Sequence, residues 1–257
     1  MILIDSHCHL DAPEFDADRD AVIARARTVG VMAQIIPAVA ANGWTKLRAL
    51  CTEDSGLYPA IGLHPMFLSE HRDEHLDDFW EFFRDFRPIA IGECGLDFYI
   101  EGLDKQRQQF FFGQQLKIAR TFDLPVIVHA RKAVDAVISA LHTAGRLQGV
   151  VHSFSGSQQQ AEQLWNLDFC IGIGGPVTYE RAARLRRIVA TMPIEFLLLE
   201  TDSPDQPGQG QRGQRNEPAL LRDVLRVVAE LRGVDEVEIA AATTRNAERV
   251  FRLPELA

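Results

Sequence analysis

At 257 residues, with 46% hydrophobic and 25% charged side chains, the chain has the composition of a globular domain with a sizeable core and lies outside the disordered class. Its formal charge of −9 excludes a protein that coats nucleic acid through a broad basic face, because phosphate neutralisation needs clustered Lys and Arg. Cys8, Cys51, Cys94 and Cys170 are scattered without a C-x-x-C pair, which excludes a disulfide framework or a zinc knuckle and points to reduced thiols.

The first residues, Met1 to His7, carry no basic stretch and only a short apolar run, so neither a signal peptide nor a membrane anchor is expected. No apolar stretch approaches the ~20 residues of a spanning helix, and the expected location is the cytoplasm. From there, short apolar runs alternate with longer amphipathic stretches, the pattern of βαβ units around a parallel sheet. The runs are Ile2 to Asp5, Met32 to Pro37, Tyr58 to Leu63, Ile89 to Gly92, Val126 to His129, Gly149 to His152, Phe169 to Ile173 and Phe196 to Glu200. Their unbroken apolarity suits parallel strands covered on both faces.

Between the runs lie helical stripes such as Phe112, Leu116, Ala119 and Phe122, at steps of three and four. Eight such units in this length predict a (β/α)8 TIM barrel spanning 1–257 as a single domain, with an open doubly wound sheet as the alternative. Asp205 to Asn216, rich in Gly and Gln and carrying Arg212 and Arg215, is expected to be a mobile loop after the eighth strand. Asp235 to Phe251 reads as an extra C-terminal helix.

The chemistry-bearing residues fall at strand ends. His7 and His9, two apart after the first strand, project to one side and can grip one ion, while Cys8 points away. Alone, that pair is as consistent with satisfied core histidines as with a metal site. His64 then closes strand three, Glu93 strand four, His129 strand five, His152 strand six and Asp202 strand eight. In a barrel, all of these ends converge on one mouth, where catalysis is placed. Histidines and carboxylates spread across the chain suit an open catalytic site better than a closed structural one, and they exceed what one ion needs. Two divalent metal ions, Mg, Mn or Zn, are therefore expected, with Asp202 orienting or deprotonating the attacking water.

Asp5-Ser-His-Cys-His-Leu-Asp11, Gly62-Leu-His-Pro65, Gly92-Glu-Cys-Gly-Leu-Asp97, His129-Ala-Arg131, His152-Ser-Phe-Ser-Gly156 and Glu200-Thr-Asp-Ser-Pro204 together resemble the TatD family of hydrolases. Gln115-Leu116, Leu124-Pro125-Val126 and Thr243-Thr-Arg-Asn-Ala-Glu-Arg-Val-Phe251 extend the resemblance along the chain. It implies a barrel of the amidohydrolase superfamily, with one ion on His7, His9, Glu93 and Asp202 and a second on Glu93, His129 and His152. Glu93 would bridge them, in place of the modified lysine of other branches. It further implies phosphodiester hydrolysis at DNA ends. Substrate contacts are expected from His64, Arg131 and Arg215 on loops at the same mouth, with Tyr99 available to stack or hydrogen-bond; the alternatives are that His64 ligates or packs under its loop and that Arg131 pairs with a neighbouring acid.

His71, His75 and His142 receive no role. The loop after Asp202 is longer than the family's commoner pattern, which leaves substrate choice open. A carbonyl substrate, for an amidase, lactonase or deacylase, is the main rival because the same ions activate water for either centre. A non-enzymatic, metal-stabilised binding protein is a weaker one. A monomer is favoured, and no membrane partner is expected.

Overall fold

The computed structural model describes residues 1–255. Eight strands form one all-parallel sheet in the order β1-β2-β3-β4-β5-β6-β7-β8. They are β1 Leu3–Asp5, β2 Val31–Pro37, β3 Leu57–Ile61, β4 Ala90–Asp97, β5 Val126–Arg131, β6 Gly149–Val151, β7 Phe169–Ile173 and β8 Leu197–Leu199. The seam between β8 and β1 is bridged by backbone bonds from Ser6 N to the Leu199 carbonyl (3.0 Å), Asp202 N to His7 (2.9 Å) and His9 N to Ser203 (2.7 Å). The expected barrel is thus built, and this seam draws the first and last metal-ligand candidates together.

The helices are α1 Arg19–Thr28, α2 Trp44–Glu53, α3 Glu74–Asp85, α4 Lys105–Phe122, α5 Val134–Ala144, α6 Gln158–Trp165, α7 Ala183–Thr191, α8 Leu221–Arg232 and the extra α9 Glu236–Phe251. Their apolar stripes pack on the outward strand residues, as Phe112, Leu116 and Ala119 of α4 do. A second core fills the barrel: Ile4, Ala33, Ile35, Ala60, Ala90, Ile127, Val150, Cys170 and Leu198 meet Val250 and Phe251 of α9. The terminal helix therefore plugs one end and leaves the other for the site. No helix among the described residues is long and apolar enough to cross a membrane, and the four cysteines are unpaired.

Two sequence expectations are corrected. Glu93 does not close its strand, since β4 runs on to Asp97 and shifts register against β5 between Ile91 and Cys94. Such a bulge re-aims a side chain, here Glu93 into the barrel. His129 likewise lies within β5, paired with Gly95. The segment Asp205 to Asn216 is also not a free loop. Asn216 Nδ2 donates to the Thr201 and Asp205 carbonyls (both 2.8 Å), Tyr179 Oη donates to the Pro207 carbonyl (3.0 Å), and Gln209 N donates to Thr178 Oγ1 (2.8 Å). Sequence composition reports turn-forming residues but not the partners that pin them.

Candidate metal centre

Strand alternation delivers the inward ligands. Side chains two apart share a face, so His129 follows inward Ile127, His152 follows Val150, and Glu200 follows Leu198. Beyond β1 the backbone is held by Asp5, whose Oδ1 accepts from Thr201 N (2.9 Å) and His7 N (3.3 Å), and whose Oδ2 accepts from Thr201 Oγ1 (2.6 Å). That clamp fixes His7 and His9 against the residues that carry Asp202. Burial pushes the Asp5 carboxyl up to about 7 despite these bonds.

The helix behind the sheet fixes the other strand ends. Gln115 accepts from Leu63 N (2.8 Å) and donates to the Leu63 carbonyl (3.2 Å), and two turns earlier Gln108 does the same for Asp97 (2.7 and 2.9 Å). Both glutamines are buried on α4 and bind backbone that no ladder satisfies.

Glu93 is the centre of the site. Its Oε1 lies 2.8 Å from His64 Nε2, 3.0 Å from His129 Nδ1 and 2.8 Å from His152 Nε2; its Oε2 lies 3.2 Å from His7 Nε2 and 3.5 Å from His9 Nε2. Asp202 Oδ1 stands 3.5 Å and 3.7 Å from the same His7 and His9 nitrogens. One carboxylate thus presents its two oxygens to two histidine pairs.

A cation fits this arrangement. Two nitrogens that each lie ~2.0–2.1 Å from one ion, at angles between octahedral and tetrahedral, stand about 2.8–3.4 Å apart. His7 Nε2 and His9 Nε2 are 3.2 Å apart, as are His129 Nδ1 and His152 Nε2. Glu93 Oε2 is buried and accepts no hydrogen bond, a costly state for an anionic oxygen unless a cation meets it. Overlapping clusters of candidate donor atoms, among them His7, His9 and Asp202, converge within 4.8 Å.

Protonation follows the same geometry. Burial alone would raise the Glu93 carboxyl, but the surrounding His64, His152 and His7 rings hold it well below the usual carboxylate range. Burial works against charging His9 and His152, yet Glu93 and Asp202 raise them to about 9 and about 10, so without metal both carry protons at neutral pH. Ligation requires neutral imidazole. Metal loading should therefore release protons, read as a dependence of the titration heat on the buffer's ionisation enthalpy.

His64 converges with Glu93 and His129 in one of the candidate clusters, and without metal it serves as a hydrogen-bond donor. Its Nδ1 accepts from Met66 N (3.0 Å), which leaves the proton on Nε2 to donate to Glu93 Oε1. His71, given no role from sequence, has its Nε2 2.8 Å from the His64 carbonyl and buttresses that turn. His129 shows the reverse arrangement: its Nε2 lies 3.1 Å from Asp97 Oδ2, freeing Nδ1 for a metal. Asp97 Oδ1 in turn accepts from Tyr99 N (2.9 Å) and Ile100 N (3.2 Å). Carboxylates behind metal-bound histidines typically contribute 10–100-fold in affinity. Asp97→Asn should weaken metal binding by that factor while His9-side binding persists, measurable by calorimetric titration.

Two further residues escaped the sequence reading. Glu200 is fully buried with Oε1 3.9 Å from His152 Nδ1, accepts from Ser153 N (2.5 Å), and is pushed up to about 8 by burial. The absent side chain of Gly172 makes its space, since a Cβ there would lie 2.0 Å from Glu200 Oε2. Gln206 donates from Nε2 to Asp202 Oδ2 and accepts from Ser153 Oγ (2.8 Å), turning Asp202 Oδ1 toward the histidines. Gln206→Leu should lower metal affinity about tenfold by freeing that carboxylate, a change the same titration reads.

Of the expected substrate contacts, Tyr99 and Arg131 stand exposed together, the guanidinium 3.9 Å from the ring centre and 3.7 Å from Asp97 Oδ2. Arg215 is not with them. Its guanidinium is bound bidentately by Asp18 (both contacts 2.8 Å) and by the Glu14 carbonyl (2.6 Å), over the Phe15 ring. It ties the loop to the start of α1, and the sequence expectation of a mouth contact is replaced by that role.

A family profile described as TatD related DNase matches residues 4–252. The chain belongs to the TatD family. As a TatD-family chain it is a metal-dependent hydrolase, and its relatives extend over the whole length. It is 42% identical to the "Uncharacterized metal-dependent hydrolase YjjV" of Escherichia coli (strain K12), covering 98% of each chain, and 34% identical to YabD of Bacillus subtilis (strain 168), covering 98% of this chain and 100% of the relative. The crystal structure of the E. coli YJJV TatD homolog superposes with a TM-score of 0.94, at 41% identity over 98% of both chains.

Proposed function

We propose that this TatD-family hydrolase is a two-metal phosphodiesterase that acts on the ends of DNA strands. The observation that carries the reading is the division of the Glu93 carboxylate, Oε2 toward His7 and His9 and Oε1 toward His129 and His152. His7, His9, Glu93 and Asp202 would hold one ion, and Glu93, His129 and His152 the other. When bound, such a pair of divalent ions acidifies water and neutralises charge on the attacking and leaving oxygens of an in-line displacement.

The chain's own groups complete the chemistry. Burial raises the Asp202 carboxyl above its ordinary value, so it accepts a proton from the attacking water more readily than a free aspartate. Gln206 holds its orientation, and His64 donates to Glu93 and keeps that carboxylate aligned. Exposed Arg131 and Tyr99 meet phosphate and base at the rim. Substrate at strand ends is favoured because His7, Glu93 and His152 are buried inside the mouth, where a single strand can enter and the side of a duplex cannot. The charge of −9 acts in the same direction.

The test is hydrolysis of a 5′-labelled single-stranded oligonucleotide by metal-stripped protein, with and without added Mg, Mn or Zn. The proposal expects shortening from an end only when metal is restored. Intact DNA with folded, metal-loaded protein, alongside turnover of lactones or amides, would overturn it in favour of a carbonyl substrate.

A further inference from the structure

A cavity of about 630 Å³ lies among the segments that follow β4, β5 and β6, lined by Phe98, Lys132, Asp135, Ser155, Ser157 and Arg184, among others. Three of its walls directly continue the site: Phe98 follows Asp97, Lys132 lies three residues after His129, and Ser155 three after His152. Its size is within the range of sites that enclose one small organic ligand. Its lining thus comes mainly from the segments that follow β4, β5 and β6, the strands that carry or lead to Glu93, His129 and His152.

The cavity is cationic in a chain that is otherwise acidic. Lys132 is exposed, sits at φ +56° immediately after β5, and makes no hydrogen bond or ion pair among the described residues. Arg184 uses one guanidinium nitrogen on the Ser155 carbonyl (2.8 Å) and has no carboxylate partner there, which leaves further donors free. The acid in the lining, Asp135, is engaged by Gln160 Nε2 (2.6 Å). At the rim, Lys105 stands 4.8 Å from the Phe98 ring centre and Arg131 lies over Tyr99. A second cavity, of about 450 Å³ beside α8, provides the contrast: it holds Glu180, Asp223 and Glu230 against Arg186 and Arg226, and Arg226 is already paired with both Asp223 and Glu230. There the acids outnumber the cations, whereas in the first cavity Asp135 faces both Lys132 and Arg184.

We propose that this cavity is a subsite for a nucleotide flanking the scissile phosphodiester, with Lys132 and Arg184 binding its phosphate and the Tyr99–Arg131 stack supporting its base. The inference rests on the phosphodiesterase reading. It adds that the enzyme prefers a strand of several nucleotides over a lone diester, because two otherwise unused cations are met only when the chain extends beyond the metals. Single-stranded nucleic acid is the chemistry that fits, since phosphates meet Lys and Arg while any base can stack on an aromatic face.

The test uses full-length, metal-loaded protein and the double variant Lys132→Asn/Arg184→Gln, asparagine being chosen because it tolerates the positive φ at position 132. Binding of a fluorescein-labelled, hydrolysis-resistant phosphorothioate oligonucleotide is followed by anisotropy. The variant is expected to bind at least tenfold more weakly and to show a salt dependence shallower by about 1 to 1.5 in log–log slope. The preference for an oligonucleotide over bis(p-nitrophenyl) phosphate, as a ratio of kcat/KM, should fall by a similar factor. Equal oligonucleotide affinity in the two proteins, with matching circular dichroism, overturns the subsite. Binding that depends on Lys132 and Arg184 without hydrolysis of either diester would keep the subsite and sink the nuclease reading; hydrolysis of both diesters with binding indifferent to the pair would do the opposite.

Discussion

Glu93→Gln is expected to lower kcat/KM at least a thousandfold with little change in the far-ultraviolet circular dichroism spectrum. The substitution is nearly isosteric, so the barrel loses no packing. It replaces an anion whose two oxygens face separate histidine pairs with an amide that has one acceptor and one donor end. Whichever way the amide turns, one histidine pair meets an NH2 group in place of a ligand, and the bridge is lost. A thousandfold corresponds to about 4 kcal/mol of transition-state stabilisation, within what paired ions supply. Steady-state kinetics on a single-stranded oligonucleotide checks it. A loss of tenfold or less would mean that Glu93 is a structural hydrogen-bond acceptor for His64, His129 and His152 and not a ligand.

The second large effect concerns the backbone that carries the site. Gly95 sits at φ +139°, a region closed to side chains, and a Cβ there would lie 2.1 Å from the His129 carbonyl oxygen. Gly95→Ala must therefore strain its own backbone and push β5 away from β4, carrying His129 off the Glu93 carboxylate. The combined cost should be about 3 kcal/mol or more, a fall in Tm of about 6–12 °C for a chain of this size. Gly113→Ala is the control. That glycine lies within α4, and beyond its chain neighbours and its own helix backbone nothing lies within 4 Å of its would-be Cβ, so alanine should stabilise by roughly 0.5–1 kcal/mol. Thermal unfolding of the two variants, with opposite signs expected, reads both; similar shifts would contradict the account of β4.

These two glycines show what could be read from sequence and what could not. The barrel was legible because eight apolar runs at regular spacing admit few other topologies, and His129 and His152 were legible because each extends the inward alternation of its strand. The mid-strand place of Glu93 was not, because a register shift between Ile91 and Cys94 leaves no pattern in residue type. Asp97 and Glu200 stood inside recognised motifs, yet their work depends on distances to His129 and His152 that only folding sets. Gln206 lay in a segment whose composition said loop and nothing more. Arg215 was assigned to the mouth from its neighbours in sequence, whereas its partner Asp18 is 197 residues away. Side chains that follow a strand's period could be placed; those that leave a loop toward a distant partner could not.

The most direct test of the account is the number of divalent ions the protein holds. Metal-stripped wild-type protein titrated with Mn or Zn in a calorimeter, with the ion content of the dialysed product measured by mass spectrometry, should take up two ions per chain, and Glu93→Gln should take up one or none while remaining folded. A wild-type stoichiometry of one, or a stoichiometry of two that Glu93→Gln leaves untouched, would contradict a carboxylate-bridged two-metal centre.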